Sequence, residues 1–384
     1  MTQLTFKKGL LLSLLSCLGA IAGLALLEVG LRAFDFDYPP GDDPIAIWNK
    51  LEDRDLRLGK GLHRVAARQL WEPRPGAPIP SAWSPDGERV NAAGYRGPQC
   101  AAEKSAGVLR IATLGDSSTF GYGVPYAQTY SAQLEAQLNA AGVSAQVLDF
   151  GVVGFTLLQG IERYRARVRD YHPDLVIAAF GAINDHFMAQ GLCDVQKISQ
   201  SKASESALGV LAQRARAKLR VLQLVARGLD SLHVEDAATR EEIERRDVAF
   251  EEIRPHVGEL DFETKYHGVR RVSPAEFEAG LAEFRRLVEA DGATLVLLSM
   301  PRRRGVDMNL SILRKYSQVI LDFAKASATL CVDGRGDFRN YFELEHGDPH
   351  LFFLPNDDVH PSVRGHARLA QRLCETIVQW KAAH

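Results

Sequence analysis

Hydrophobic positions along this chain are arranged in two ways. From Leu10 to Leu27 no residue carries a charge, and Leu, Ala and Gly dominate the stretch "LLLSLLSCLGAIAGLALL". At about 1.5 Å per helical residue, such a run nearly spans a hydrocarbon core of about 30 Å. It predicts a single-pass anchor in an inner (cytoplasmic) membrane. Lys7 and Lys8 stand just before it, so the positive-inside tendency puts residues 1–9 in the cytoplasm and the chain after Glu28 in the periplasm or exterior. A cleaved signal peptide would use the same residues, but no Ala-x-Ala site follows. The chain also stays apolar beyond Cys17, which argues against lipidation there.

The second arrangement begins at Val108. Apolar runs of strand length recur at 108–114, 146–150, 175–180, 294–299 and 329–332. Between and after them, Tyr130–Ala141, Phe277–Ala290 and Arg364–Trp380 carry helical spacing. Strands that alternate with helices predict an α/β fold, a parallel sheet covered on both faces. In such sheets the ligand sits beyond the carboxyl ends of the strands.

Two stretches fit neither pattern. Residues 28–106 are rich in Pro, Gly, Asp and Arg ("YPPGDDP", "EPRPGAPIPSAW"), with tryptophans at Trp48, Trp71 and Trp83. They read as a stalk and an irregular lead-in that wraps the following domain, 107–384, rather than as a fold of their own. Inside that domain, about 187–275 interrupts the rhythm with the amphipathic "LGVLAQRARAKLRVLQLVARGL" and the charge-dense "DAATREEIERRD". A helical insertion with a solvated face is the plain reading; a lid, or a surface lying on the membrane, is the sharper one.

Composition narrows the function. The 384 residues are 46% hydrophobic and 24% charged with a formal net charge of -2, which describes a folded chain with no charge excess to attract nucleic acid. No Gly-Lys-Ser/Thr phosphate loop follows a strand, and "GYGVPY" lacks the third glycine of a dinucleotide fingerprint. Of the five cysteines none stands in a Cys-x-x-Cys pair, so neither zinc nor a redox pair is indicated. Cys331 and Cys374 read as small core residues, and Cys100 with Cys193 as one candidate bridge.

The candidate chemistry gathers where strands end. "TLGDSSTFGYGV" closes the first run, and Ser117 in it would sit on a tight strand-to-helix turn, with the helix from Tyr130 leaving the site. A serine needs a base to become nucleophilic. His360, three residues after Asp357 in "LPNDDVHPSVRGHARLA", supplies one, with the carboxylate placed to orient the imidazole through Nδ1. Donors for an oxyanion appear at Gly154 in "DFGVVGFT", whose N–H is unhindered by a Cβ, and at Asn184 in "AFGAINDH", which offers a carboxamide. Asp116 reads as structural, bonding local backbone N–H groups, and His186 and His366 as structural or substrate-facing. Read singly, Ser117 would be a helix cap.

Together the blocks "GDSSTFGYGV", "GVVGFT", "AINDH" and "DDVHPS" resemble, in order and spacing, the SGNH (GDSL-type) hydrolases across about residues 108–375. "VNAAGYRGP", "RRVSPAEFEAGL" and "VLLSMP" are similar to segments of membrane-anchored bacterial members. The resemblance implies Ser117 as nucleophile, His360 as base, Asp357 as its orienter, and an oxyanion hole of Ser117 N–H, Gly154 N–H and Asn184. It implies a three-layer α/β/α fold with a five-stranded parallel sheet in flavodoxin-like order 2-1-3-4-5. It implies no metal and no cofactor. One position departs: Ala182 stands where the family carries glycine two residues before the asparagine, with Gly181 one further back, so the Asn184 loop is expected to turn differently. The reading is a serine esterase working through an acyl-enzyme, its substrate an ester or acylated glycan of the envelope or an exported polysaccharide. An O-acyltransferase on the same triad, or a catalytically idle binding or assembly module, is the alternative.

Overall fold

The computed structural model describes residues 2–34, 36, 61–66, 68–81, 83–84, 86–187, 193–203, 219–225, 270–303, 310–344, 351–355, 357 and 359–383. The chain divides into two compact units, one of Met1–Asp43 with Ala203–Glu242, the other of Pro44–Lys202 with Ile243–His384. The first contains helix α1, Thr2–Ala33, where Glu28 accepts the Val221 N–H at 2.9 Å and the Arg32 guanidinium at 2.8 Å. Among the described residues no helix is long and apolar enough to cross a membrane. The anchor expected at 10–27 falls partly on side chains outside those described, and most of the expected insertion at 187–275, including 236–247, lies outside them altogether.

The second unit is built on a central sheet whose strands are largely buried on both faces. β1 (His63–Ala66) and β2 (Leu70–Pro73) form an antiparallel hairpin in the lead-in. β3 (Leu109–Gly115), β4 (Ala145–Asp149), β5 (Leu175–Ala179), β6 (Thr294–Ser299) and β7 (Leu330–Asp333) form one parallel sheet in the spatial order β4-β3-β5-β6-β7. Counted within that sheet the order is 2-1-3-4-5. Alternate residues point to opposite faces. Ala112, Leu114, Val176, Ala178, Leu295 and Leu297 enter one cluster, while Ile111, Leu175, Ile177, Val296 and Leu298 enter the other. Burial on both faces is why these runs read as continuous apolar stretches rather than as alternating ones.

Helices complete the outer layers. On the first face lie α4 (Leu157–Arg163), α6 (Pro274–Ala290) and α7 (Ser311–Ser327), contributing Leu157, Phe277, Phe284, Tyr316 and Ile320 to the core. Ser273 and Glu276 close a capping box ahead of α6, with Pro274 at its first position. On the opposite face α3 (Tyr130–Ala140) and α9 (Val363–Ala383) pack Leu134, Leu138, Leu369 and Leu373 on the sheet. Helix α2 (Ser117–Phe120) follows β3, α8 (Gly334–Leu344) follows the last strand β7, and α5 spans Asp194–Ala203. Leu70, Trp71 and Tyr95 of the lead-in belong to the first cluster.

Cys100 and Cys193 are free thiols, so the candidate bridge between them is not formed. Each thiol has its own partner: Cys100 takes the Tyr95 hydroxyl at 3.4 Å, and Cys193 donates to Gln196 at 3.3 Å. Cys331 and Cys374 pack against the core clusters, and burial pushes the Cys331 thiol up to about 12.

Candidate active site

At the end of β3 the chain turns at once into α2, so the helix that receives Ser117 is this four-residue turn and not the later one from Tyr130. Asp116 is its N-cap: Oδ1 accepts the Ser118 N–H at 2.9 Å, which frees Ser117 from the capping role. Gly121 ends the turn in the left-handed region at φ 78°. The buried Arg96 holds it from behind, donating to the carbonyls of Phe120, Gly121 and Val124 at 2.5–2.7 Å.

His360 reaches this serine across 243 positions of sequence. Its Nε2 lies 2.8 Å from Ser117 Oγ, and its Nδ1 lies 2.6 Å from Asp357 Oδ2. The second Asp357 oxygen accepts the N–H groups of Val359 and His360, both at 2.8 Å, so the carboxylate cannot swing away from the ring. Burial acts to raise the Asp357 carboxyl, but the hydrogen bond and charge of His360 and these two N–H groups outweigh it and pull it down to about 2. An anionic carboxylate on Nδ1–H leaves Nε2 as the acceptor for a serine proton. The Tyr122 ring covers the imidazole at 4.5 Å between centroids.

The other two loops pack beside α2. In the glycine block, Val152 N–H donates to Gly115 O at 3.0 Å, and Gly154 adopts φ 80°, a conformation open to glycine. Among the described residues, neither the Ser117 nor the Gly154 N–H donates to any group. In the asparagine block, Gly181 takes φ 77°, so the positive torsion falls one residue earlier than the Ala182 position. Asn184 Nδ2 donates to Asp116 Oδ2 at 2.9 Å and keeps a second N–H, while its carbonyl oxygen is buried without a partner among the described residues. Burial holds the Asp116 carboxyl above its ordinary range, against the opposing pull of Ser118 N–H, His360 and Asn184.

Asp116 therefore does more than bond local N–H groups: it ties the serine block to the asparagine block. Asp185 does the same between neighbouring loops, accepting Leu157 N–H at 2.9 Å and Gly181 N–H at 3.0 Å. Arg302 donates to the Gly181 and Ala182 carbonyls at 3.2 and 3.0 Å. Arg96, Arg271 and Arg302 stand in or beside the quoted "VNAAGYRGP", "RRVSPAEFEAGL" and "VLLSMP", which were the one sequence signal for them. His186 and His366 are buried and each is bonded to backbone. His186 Nδ1 pairs with the Ile183 carbonyl, and His366 Nδ1 accepts Tyr130 N–H at 3.1 Å. Burial, then nearby arginine charge, lowers both to about 3, so each is a neutral structural ring. Among the described residues no cluster of His, Cys, Asp and Glu is arranged to hold a metal ion.

Residues 113–368 match the model of the GDSL-like Lipase/Acylhydrolase family, a span that holds the serine, both flanking loops and the Asp-x-x-His segment. The chain belongs to this family. As a GDSL-like acylhydrolase it is a serine hydrolase with esterase or acylhydrolase activity. Solved structures similar to it include LAE5, an alpha/beta hydrolase enzyme from the metagenome of Lake Arreo, Spain, at 18% identity and TM-score 0.43, covering 70% of this chain and 94% of that one. Axe2, an acetylxylan esterase from Geobacillus stearothermophilus, is 19% identical with TM-score 0.41 over 70% and 93% of the two chains. TesA is 16% identical with TM-score 0.40 over 70% and 97%. Likenesses this distant say nothing of substrate. No curated protein matches the chain.

Proposed function

We propose that this GDSL-like hydrolase cleaves an ester through an acyl-enzyme on Ser117. The observation that carries the reading is the continuous line from Asp357 Oδ2 through His360 to Ser117 Oγ, with links of 2.6 and 2.8 Å. His360 Nε2 takes the serine proton as Oγ attacks the carbonyl carbon, and Asp357 stabilises the imidazolium that forms. The developing oxyanion is met by the N–H groups of Ser117 and Gly154 and by the free carboxamide N–H of Asn184. The tetrahedral centre collapses as His360 returns its proton to the leaving alcohol. Water then enters, gives its proton to His360, and releases the acid while Ser117 recovers its hydrogen.

We further propose that residues 10–27 anchor the enzyme in the inner membrane with its catalytic unit outside the cytoplasm, and that the ester belongs to an O-acylated envelope or exported polysaccharide. Support for the anchor is the uncharged run behind Lys7 and Lys8 within a continuous helix, Thr2–Ala33. Leu15, Leu18, Ile21, Leu24, Leu26 and Val29 are exposed on it. Carbonate-washed membranes retain an anchored chain; its release into the wash refutes the anchor.

Hydrolysis of short aryl esters, labelling by a fluorophosphonate and deacetylation of an O-acetylated glycan test the chemistry side by side. All three are expected to vanish in Ser117→Ala. A parent enzyme that neither hydrolyses nor is labelled refutes the esterase reading, and activity confined to lipids or thioesters refutes the glycan.

A further inference from the structure

The hairpin that precedes the hydrolase fold reaches into the glycine block. Trp71, on β2, donates its indole N–H to the Val153 carbonyl at 3.1 Å. That carbonyl and the Gly154 N–H belong to one peptide group, and no peptide in the described chain is cis. In a trans peptide the N–H points opposite to the C=O. Fixing Val153 O on Trp71 therefore fixes the direction of the Gly154 N–H, which has no other partner among the described residues.

The next peptide is held as firmly. Arg271 Nη1 donates to the Gly154 carbonyl at 2.9 Å. Its other nitrogens bond Asp194 at 3.2 and 2.9 Å and Gln159 at 2.7 Å, and Arg271 and Asp194 are each 1% exposed. Asp194 also accepts the Thr156 hydroxyl at 2.8 Å, two residues past Gly154. The guanidinium lies over the Trp71 ring, 5.7 Å from its centroid, so the two clamps brace each other. Strain marks the point where the hairpin delivers the indole. Leu70 has φ 67°, a left-handed conformation that a leucine adopts only when its surroundings impose it. They do: the preceding Gln69 is gripped through its carbonyl by Gln159 at 2.9 Å and through its side chain by Arg163 at 3.2 Å.

We propose that Trp71, together with the Arg271–Asp194 pair, is a positioning residue for the oxyanion donor at Gly154. The lead-in hairpin is then part of the catalytic apparatus, though no atom of it touches the reacting carbon. The inference rests on the acyl-enzyme reading above.

Trp71→Phe is the test, because it removes the N–H donor and leaves an aromatic ring against Arg271. The assays are aryl acetate hydrolysis and inhibition by phenylboronic acid. In that inhibitor the Ser117 oxygen adds to boron as its proton passes to His360, leaving a tetrahedral anion that needs the same donors as the transition state. Losing an oxyanion donor outright costs about 100-fold or more; losing its alignment is expected to cost about tenfold. We expect kcat to fall by about tenfold, boronate affinity to fall in parallel, and KM to stay within about twofold. Arg271→Lys keeps the charge facing Asp194 but loses the planar fork, and is expected to reproduce the split; it serves in place of Trp71→Phe if that variant does not fold. Arg167→Gln removes an ion pair to Glu72 on the same hairpin and is expected to leave both readouts unchanged. Unchanged kcat and boronate affinity in Trp71→Phe, a rise in KM alone, or an equal loss in Arg167→Gln overturns the proposal. A parent enzyme inert to fluorophosphonate overturns the acyl-enzyme reading instead.

Discussion

Gly151 is where the glycine block leans hardest on the serine block, and replacing it with alanine shows what the close approach is for. A Cβ built there would lie 2.8 Å from the Thr119 carbonyl carbon, 2.9 Å from Phe120 Cα, and closer still to Phe120 N. All three atoms are backbone of α2, so no side chain can turn aside. Arg96 also pins the Phe120, Gly121 and Val124 carbonyls, so a shift of the short helix would strain these bonds. Carbon atoms prefer separations of about 3.5–4.0 Å. Relief therefore demands a shift of roughly 1 Å between the two blocks. Overpacking of this kind typically costs about 1–3 kcal/mol, or about 2–10 °C in Tm for a domain of this size. A displacement of about 1 Å between catalytic groups can cost about 100-fold in rate. Gly151→Ala is thus expected to lose far more activity than stability, read by aryl acetate turnover beside thermal unfolding. Gly280→Ala on α6 is the control. Its Cβ would meet Leu157 Cδ2 at 3.0 Å and Leu158 Cδ2 at 3.3 Å, flexible tips that can give, in a helix where alanine is favoured over glycine by about 1 kcal/mol. Full turnover in Gly151→Ala would show that α2 is not held against the glycine block, and the reasoning would fail.

Asp357→Asn keeps the shape of the triad but removes the anion that fixes the His360 tautomer, and kcat is expected to fall by up to about 10⁴-fold with little change in Tm; near-parental turnover refutes the orienting role. Asp149, at the end of β4, gives a prediction in pH. One of its oxygens accepts Gly151 N–H at 2.9 Å while the other is buried without a partner among the described residues. Burial raises its carboxyl to about 7, against the pull of that N–H and of Arg96. A folded value above the unfolded one of about 3.9 means stability that is complete below pH 4 and is lost as pH climbs toward 7, at about 1.4 kcal/mol per pH unit. Asp149→Asn never ionises, so urea unfolding should show the wild type losing about 1–3 kcal/mol relative to this variant between pH 5 and pH 7.5. A difference that stays flat across this range refutes the assignment. Taking the difference between the two proteins cancels the buried His186 and His366, whose lowered values give a slope of the opposite sign.

The strand runs and the long helices were legible because each buries a continuous or periodic apolar face, and that demand is written locally. The run at 294–299 and the strand Thr294–Ser299 coincide, and the run at 175–180 differs from Leu175–Ala179 by one residue. The β1–β2 hairpin was not legible. Its strands are four residues each, it turns through a strained Leu70, and its partners lie scattered through the chain. That Ser117, His360 and Asp357 belong together could be proposed from residue type and spacing because a candidate nucleophile, base and orienter are chemically distinctive, and the three side chains do meet. Trp71, Asp194 and Arg271 could not, since a buried arginine looks in sequence like a surface one until its acceptors are known.

By itself, then, the sequence determined which residues are chemically equipped to form the proposed site, because a reactive group is defined by its own atoms, and which segments form the sheet, because burial imposes a short-range pattern. Tertiary structure alone decided how those groups are held. The direction of the Gly154 N–H and the Asp116–Asn184 tie each depend on atoms that meet only after the chain has closed on itself. Hydrogen bonds act over about 3 Å of space, and sequence separation places no mark on them.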